Sequence, residues 1–293
     1  MKLKEKPKQY ILTGDIGGAH ITTAICDIAS CSIIPYTCVR IEISSHESAE
    51  YILKAWQTAF SHSLNKIDVT TFSLGIAMPG PFDYQNGISY IKGLNKFEAL
   101  YGLNIKYSLA KYMDMQPSMI RFRNDAEATI AGEAMVIKGL RNKKVVGITL
   151  GTGFGSAFYK NGITNDLDLG SQPFLTSIAD DHLSTRWFLK RYRQLSGIQL
   201  SGVKELADLA DVSEVAQHVF DEFANNMAQF LIPYLGKFQP DVLVICGSIA
   251  QASGLFLPRL QENMPDIKIV VGKLGDHAAL LGAAVLFNKA TPD

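Results

Sequence analysis

The sequence is short of most features that mark a specialised class of protein. It has no excess of charge: 28 Lys and Arg residues face 28 Asp and Glu. No global field draws it to nucleic acid, and binding a phosphate backbone would need a local basic patch. No apolar run is long enough to span a bilayer. The opening stretch MKLKEKPKQY is basic but lacks the apolar centre of a secretory signal. Cysteines number only four, Cys26, Cys31, Cys38 and Cys246, with neither a CxxC pair nor a zinc-like spacing. Reduced, mostly buried thiols and a cytoplasmic location are the expectation. Also missing are low-complexity segments, a GxxxxGK[ST] phosphate loop, and a GxGxxG turn opening a helix, which argues against P-loop and Rossmann nucleotide sites.

What is present is the material of a large mixed α/β protein. With 293 residues, 47% of them hydrophobic and 19% charged, the chain exceeds the size at which one core stops growing. Two lobes around a cleft are expected. YILTGDIGG reads as a strand entering a glycine turn, and HITTAICDI as its hairpin partner. The stretch ESAEYILKAWQTAFSHSL is a helix, and TTFSLGIAMPG a buried strand ending in a Pro/Gly break. SMIRFRNDAEATIAGEAMVIKG is a strand to Asn124-Asp125 and then a helix. KKVVGITLGTGFGSAFYKNG repeats the opening pattern and closes on an Asn161-Gly162 turn. From Asp166 to Asp211 the chain is polar and turn-rich, with one helix from Leu183 to about Leu195 in which Trp187 and Phe188 face the core. A long helix SEVAQHVFDEFANNMAQFLIPYLGKF, a buried strand DVLVIC and a compact helix DHAALLGAAVLF follow.

Two glycine turns placed after strands, GDIGGAH and TLGTGFGS, carry most of the chemical signal. Each gathers free backbone N–H groups around a concavity with no Cβ to keep a phosphate oxygen away. Such turns also serve as ordinary hairpins, and it is their pairing in matching contexts that favours phosphate binding. Asp15, between the first strand and Gly17-Gly18, is a candidate to hold hydrated Mg²⁺, with an Asx turn as the plainer alternative. Asp125 follows a strand and opens a helix. It can accept the proton of an attacking hydroxyl, or it or Asn124 can simply cap that helix. Asp83, in MPGPFDYQNG, either contacts a polyol or caps its own turn. CGSIA offers a tight backbone turn on which a purine can lie.

Taken in order, these pieces resemble the ROK sugar kinases, glucokinase-like members of the actin, heat-shock ATPase and hexokinase superfold. The likeness runs through GDIGG, GIAMPGPFDYQNG, RNDAEA, LGTGFGS, VICGSI and ALLGAA. It implies two actin-like, ribonuclease H-like α/β lobes with a nucleotide and sugar cleft between them. Residues 1–122 would form the N-terminal lobe, with a closing helix over 276–289 packed back on it. Residues 123–275 would form the C-terminal lobe, with a sugar-site insert near 165–200. The resemblance also implies ATP-dependent phosphorylation of a hexose or hexose-derivative hydroxyl, the 6-hydroxyl by analogy, with Asp125 as general base. Sugar contacts would come from Asn124, Asp125, Pro79 and Gly80. Mg-ATP would lie against Asp15, Gly17, Gly18, Gly151, Thr152, Gly153, Gly247 and Ser248, with Asp15 reaching the Mg²⁺ through water.

The chain departs from this pattern at several positions. Ala19-His20 replaces the family's Thr-Lys. LDLGSQPF stands where the family has GELGHMPF, so Asp168 takes the place of a sugar-binding Glu, and Ser171 that of a His that ligates zinc. The family's cysteine-rich loop is missing where TSIADDHLSTRWF follows, so no structural zinc is expected. Gly93 stands where a sugar-contacting Asn belongs, with Lys92, Asn95 and Lys96 as substitutes. The resemblance implies a homodimer. Some relatives are repressors with an added N-terminal winged helix, but only about ten residues precede the first strand here, and DNA binding is not expected. Two other readings stand beside the kinase: a non-catalytic sugar or nucleotide sensor, and an actin-like phosphotransferase with a non-sugar substrate.

Overall fold

The structure is a computed structural model that describes residues 9–68 and 72–288. In chain order the elements are β1 (Tyr10–Ile16), β2 (His20–Asp27), β3 (Ser32–Ile33), β4 (Val39–Glu42), α1 (Ala49–Leu64), β5 (Ser73–Met78), β6 (Phe82–Asp83), β7 (Ile88–Ser89), α2 (Ile105–Tyr112), β8 (Ile120–Asn124) and α3 (Asp125–Val136). There follow β9 (Val145–Leu150), β10 (Phe154–Lys160), β11 (Ile163–Asp166), β12 (Pro173–Phe174), β13 (Ser177–Ile178), α4 (Ala179–His182), α5 (Thr185–Ser196), α6 (Val203–Leu209) and α7 (Glu214–Phe238). The chain ends through β14 (Val242–Cys246), α8 (Ser253–Asn263), β15 (Lys268–Val271) and α9 (Ala278–Ala284). Two compact units result: Met1–Val136 with Asp276–Asp293, and Ile137–Gly275.

In the first unit β1 and β2 form an antiparallel hairpin, while β5 and β8 add in parallel, giving the order β3-β2-β1-β5-β8 with β4 also on β2. Period-two alternation assigns each residue of β1 a side. Leu12 and Ile16 join the cluster around Trp56 and Phe60 of α1. A Cβ on Gly14 would come 2.8 Å from the Phe60 ring, so only glycine lets that ring lie flat on the strand. Ile11, facing the other way, packs with Cys26 and Ala284. Ser48 starts α1 by accepting from the Tyr51 N–H.

The small residues of α3 and α9 have a direct cause. A Cβ on Gly282 would sit 1.6 Å from the Ala128 carbonyl oxygen, and one on Gly132 would sit 2.1 Å from that of Ala278. The two helices therefore meet backbone to backbone. This contact, with the parallel pairing of β8 on β5, holds residues 120–136 in the first unit. The division falls after Val136, whereas the sequence placed it between 122 and 123 and so put Asp125 in the other lobe. The closing helix does pack in the first unit; Lys289, the last residue assigned to it, lies outside the described residues.

The second unit repeats the same topology. β9, β10 and β11 form an antiparallel meander, β14 and β15 add in parallel, and the order is β11-β10-β9-β14-β15. The Asn161-Gly162 turn has φ of 51° and 84°, as a two-residue hairpin requires. Trp187, Phe188, Phe220, Phe223 and Phe256 fill the core between α5, α7 and α8. Three helices, α4, α5 and α6, occupy the stretch from Asp166 to Asp211 where one was expected. α4 has only four residues and α6 only seven, too few for a clear helical period. Both sheets thus bear out an α/β chain with two actin-like halves. Cys26 and Cys246 are buried, while Cys31 and Cys38 are only half-buried, and among the described residues no two cysteines are joined in a disulfide. Among the described residues no helix is long and apolar enough to cross a membrane.

Candidate functional site

The first unit brings its candidate residues to the carboxyl ends of its parallel strands. Asp15 of β1 pairs with Ala77 of β5, and Met78 of β5 with Asn124 of β8. Asp15, the Pro79-Gly80 turn and Asn124-Asp125 therefore stand along one sheet edge, the position where open parallel sheets bind ligands. Two of the plainer readings are resolved here. Asn124 caps α3, its Oδ1 accepting from the N–H groups of Ala126 (2.9 Å) and Glu127 (3.2 Å). Asp125 accepts from the Ala126 N–H (2.8 Å) and is exposed. Because Asn124 does most of the capping, only one Asp125 oxygen is engaged at the helix start, by the Ala126 N–H. Asp83 accepts from the backbone of Gln85 and Asn86 and from the Asn86 amide, which holds its carboxyl below the usual range; it is a turn cap.

Tyr84 carried no sequence signal yet joins these pieces. Its hydroxyl donates to the Met78 carbonyl (3.1 Å) and accepts from Asn124 Nδ2 (3.3 Å), and it lies 3.2 Å from where a Cβ on Gly80 would be. The tie sets the angle between the Pro79-Gly80 turn and the start of α3. Pro79 is buried and Gly80 half-buried.

Electrostatics centre on Asp15. Burial, reinforced by the negative charges of Asp125 and Asp276 and opposed by Arg40, pushes its carboxyl up to about 7. Arg40 reaches it across the sheet: Asp15 pairs with Thr22 on β2, and Thr22 with Arg40 on β4, so all three side chains share a face. His20, on the rim of the first glycine turn, lies 3.0 Å from where a Cβ on Gly17 would stand. Burial and Arg40 together lower its pKa, against Asp276 and Glu42. Asp276 and Arg40 belong to no glycine or strand-end motif, and only the fold reveals them. Gly18 is exposed, with Lys96 Cδ 3.9 Å from its Cβ position. That brings the loop containing Lys92, Gly93, Asn95 and Lys96 to the same turn. Glu98 holds the loop by accepting from the N–H groups of Leu94 and Asn95, and the Lys92 ammonium lies over the Tyr101 ring at 5.1 Å. Gly93 has φ 72° and Asn95 φ 54°, both exposed.

The second unit builds a separate cradle. Gly151, Thr152 and Gly153 form the turn between β9 and β10, closed by the Gly151 N–H donating to the Gly153 carbonyl (3.0 Å). β14 runs parallel to β9 with Cys246 opposite Thr149, so Gly247 and Ser248 leave the sheet beside this turn. Gly247 has φ 91°, and a Cβ there would lie 2.3 Å from the Leu150 carbonyl oxygen. Ser248 Oγ stands 3.5 Å from the Cβ position of Gly151. Asp168 and Ser171 are turned on each other: Ser171 Oγ donates to Asp168 Oδ2 at 2.6 Å, with Asp168 at φ 45°. Their turn packs on the cradle through Gly170, whose Cβ position is 2.3 Å from the Phe154 carbonyl.

A hydrated Mg²⁺ bound through one or two carboxylates and nucleotide phosphates suits the Asp15 and Asp125 donor set, two carboxylates whose mutual repulsion a cation would relieve. The Gly151–Gly153 turn, whose glycines let a ligand approach the backbone closely, together with Gly247, which packs on the Leu150 backbone as only glycine can, suits a nucleotide. Among the described residues no group of three or more His, Cys, Asp or Glu could hold a metal ion by itself. A concavity of about 780 Å³ in the second unit, lined by Arg191, Glu222 and Arg259 among others, includes none of the cradle residues.

Known proteins resemble the chain in sequence and in fold. The chain is 24% identical to a glucokinase from Thermotoga maritima over 255 residues, 74% of this chain and 79% of that protein. It is likewise 24% identical to an N-acetyl-D-glucosamine kinase from Histophilus somni over 310 residues, covering 93% and 97%. A ROK family glucokinase from Streptomyces griseus, solved with glucose and AMPPNP, superposes with a TM-score of 0.77 at 19% identity, covering 94% of this chain and 98% of that one. The sequence model of the ROK family matches residues 12–166 and 179–290, nearly the whole length, and the chain belongs to the ROK family.

Proposed function

We propose that this chain is an ATP-dependent sugar kinase that transfers the γ-phosphoryl group of ATP to a hydroxyl of a hexose or hexose derivative, the 6-hydroxyl by family resemblance. The observation that carries this is the division of labour at the end of β8. Asn124 caps the helix and leaves Asp125 an exposed carboxylate beside Asp15. Asp125 takes the proton of the attacking hydroxyl as its oxygen bonds to the γ-phosphorus. The bond from that phosphorus to the β,γ-bridging oxygen breaks, and ADP leaves with that electron pair. Asn124, tied to Tyr84, orients the sugar, with Pro79 and Gly80 shaping the adjoining wall. For the nucleotide, the second unit offers the N–H groups of Thr152 and Gly153 to phosphate oxygens and Gly247-Ser248 to the adenosine, and the first unit offers the N–H of Gly18; the N–H groups of Gly17 and Gly151 close their own turns on His20 and Gly153. Mg²⁺, when bound near Asp15, supplies charge neutralisation on the phosphates. By family resemblance Asp168 and Ser171 are the second unit's altered sugar-contacting positions. The proposed assembly is a homodimer by resemblance, readable by sedimentation.

A coupled ADP-release assay over glucose, N-acetylglucosamine and other hexoses tests the reading. Turnover should appear on at least one sugar, and Asp125→Asn should lower kcat by about 10²–10⁴-fold with nucleotide affinity retained. An undiminished rate in that variant rejects the role of Asp125. The mutual bond of Asp168 and Ser171 favours a second reading, a sugar or nucleotide sensor whose sugar contacts have turned inward. Binding without ADP formation on any sugar would select it.

A further inference from the structure

The Gly151–Gly153 turn is anchored from behind by a pair of residues that no sequence motif singles out. The Phe154 N–H, first after the turn, donates to Asp180 Oδ1 at 2.5 Å. The other Asp180 oxygen accepts from the Arg186 guanidinium. A Cβ on Gly153 would come within 3.0 Å of Asp180 Oδ1, so the carboxylate lies directly against the turn. At the turn's opposite end the Thr185 N–H, the first of α5, donates to the Gly151 carbonyl at 2.8 Å. Both ends of the turn are thus fastened to α4 and α5, while Thr152 and Gly153 remain exposed.

A turn containing two glycines is otherwise free to sample many conformations. A ligand that needs its N–H groups convergent would bear the cost of ordering it, and anchoring in advance removes that cost. The Asp180 side chain is 23% exposed and that of Arg186 57%. So open an ion pair contributes little stability by itself. Its effect is orientation, because a carboxylate gripped by a guanidinium on one oxygen presents the other in a fixed direction. With one oxygen on Phe154 and the other on Arg186, Asp180 is occupied on both sides and poorly placed to serve as a sugar ligand.

We infer that Asp180, oriented by Arg186, is a positioning residue that keeps the Gly151–Phe154 turn in its phosphate-accepting shape and so sets affinity for the nucleotide and not for the sugar. This rests on the nucleotide reading of that turn given above. The test uses the full chain carrying Asp180→Ala, Asp180→Asn or Arg186→Ala. AMPPNP affinity is measured by calorimetry, KM for a turned-over sugar by ADP release, and exchange of the Phe154 amide by hydrogen–deuterium exchange. Asp180→Ala should weaken AMPPNP binding about tenfold and speed exchange at Phe154, leaving the sugar KM within about twofold. Asp180→Asn keeps an acceptor for the Phe154 N–H and should recover most of the affinity, with Arg186→Ala between the two. If Asp180→Ala does not fold, the other two variants carry the same comparison. Unchanged AMPPNP affinity and exchange, or a rise in sugar KM alone, would overturn the assignment. A wild-type chain that binds no AMPPNP would instead overturn the nucleotide reading, and this inference with it.

Discussion

Replacing Asp15 by Asn should make the ligand-free protein more stable by a margin that grows as pH rises from about 4 to about 7 and then stays level. In the folded chain the Asp15 carboxyl is pushed up to about 7 from 3.8, by burial first and by Asp125 and Asp276 next. A group raised on folding contributes stability that is full below the unfolded value, near 4, and is lost as pH climbs through the folded value, near 7. About three pKa units at ~1.4 kcal/mol each correspond to about 4 kcal/mol for a dry site. Asp15 is only partly buried by its accessible surface, and water reaching it reduces the effect to about 2 kcal/mol. Asn has the shape of the protonated carboxyl and never ionises. Its advantage over Asp should therefore grow between pH 5 and pH 8 by about 1–2 kcal/mol, a gain of roughly 2–4 °C in Tm for a chain of this size. Thermal melts of both proteins at pH 5, 6, 7 and 8 without nucleotide read this directly. A constant Tm difference across that range, or a less stable Asn variant at pH 8, would refute the reasoning. Saturating Mg-ATP should narrow the pH 8 gap by favouring the ionised wild-type carboxylate.

Two further substitutions probe the backbone contacts. Gly282→Ala puts a Cβ 1.6 Å from the Ala128 carbonyl; it should destabilise the protein by about 2–4 kcal/mol by forcing α9 off α3, seen as a lower urea midpoint. Gly247→Ala combines φ 91° with a 2.3 Å approach to Leu150 O; it should cost about 1–3 kcal/mol and weaken nucleotide binding in the same calorimetric titration.

The sequence exposed the features that depend on local chain chemistry. Glycine turns after strands, the Asn161-Gly162 hairpin and the long apolar period of α7 all announce themselves within a few residues. The repeat of hairpin and parallel strands was visible because GDIGGAH and TLGTGFGS stand in the same setting. Contacts between segments far apart in the chain were not visible. Tyr84 serves Asn124 from 40 positions away, Asp276 faces Asp15 from the far end of the sequence, and Asp180 reaches Phe154 from a four-residue helix. None of these residues has a periodic neighbour or a spacing to mark it. The unit boundary moved for the same reason: what fixes α3 in the first unit is α9, more than 140 residues later. The pattern around Asp168 and Ser171 was legible as a departure, but not that the two would bond to each other.

The seam between α3 and α9 has a mechanical meaning. Side chains normally act as springs between helices, absorbing small displacements by changing rotamer. Where Gly132 and Gly282 bring main chain onto main chain, there is nothing to compress. α3 carries Asp125 on its first turn, and Asp276 stands just ahead of α9. Two of the negative charges around Asp15 therefore ride on one stiff body, and a disturbance anywhere along the seam arrives at the carboxylates undamped. A lesion at Gly282, the closing helix's own glycine, should then register as a change in the charge balance at Asp15 as well as a loss of packing.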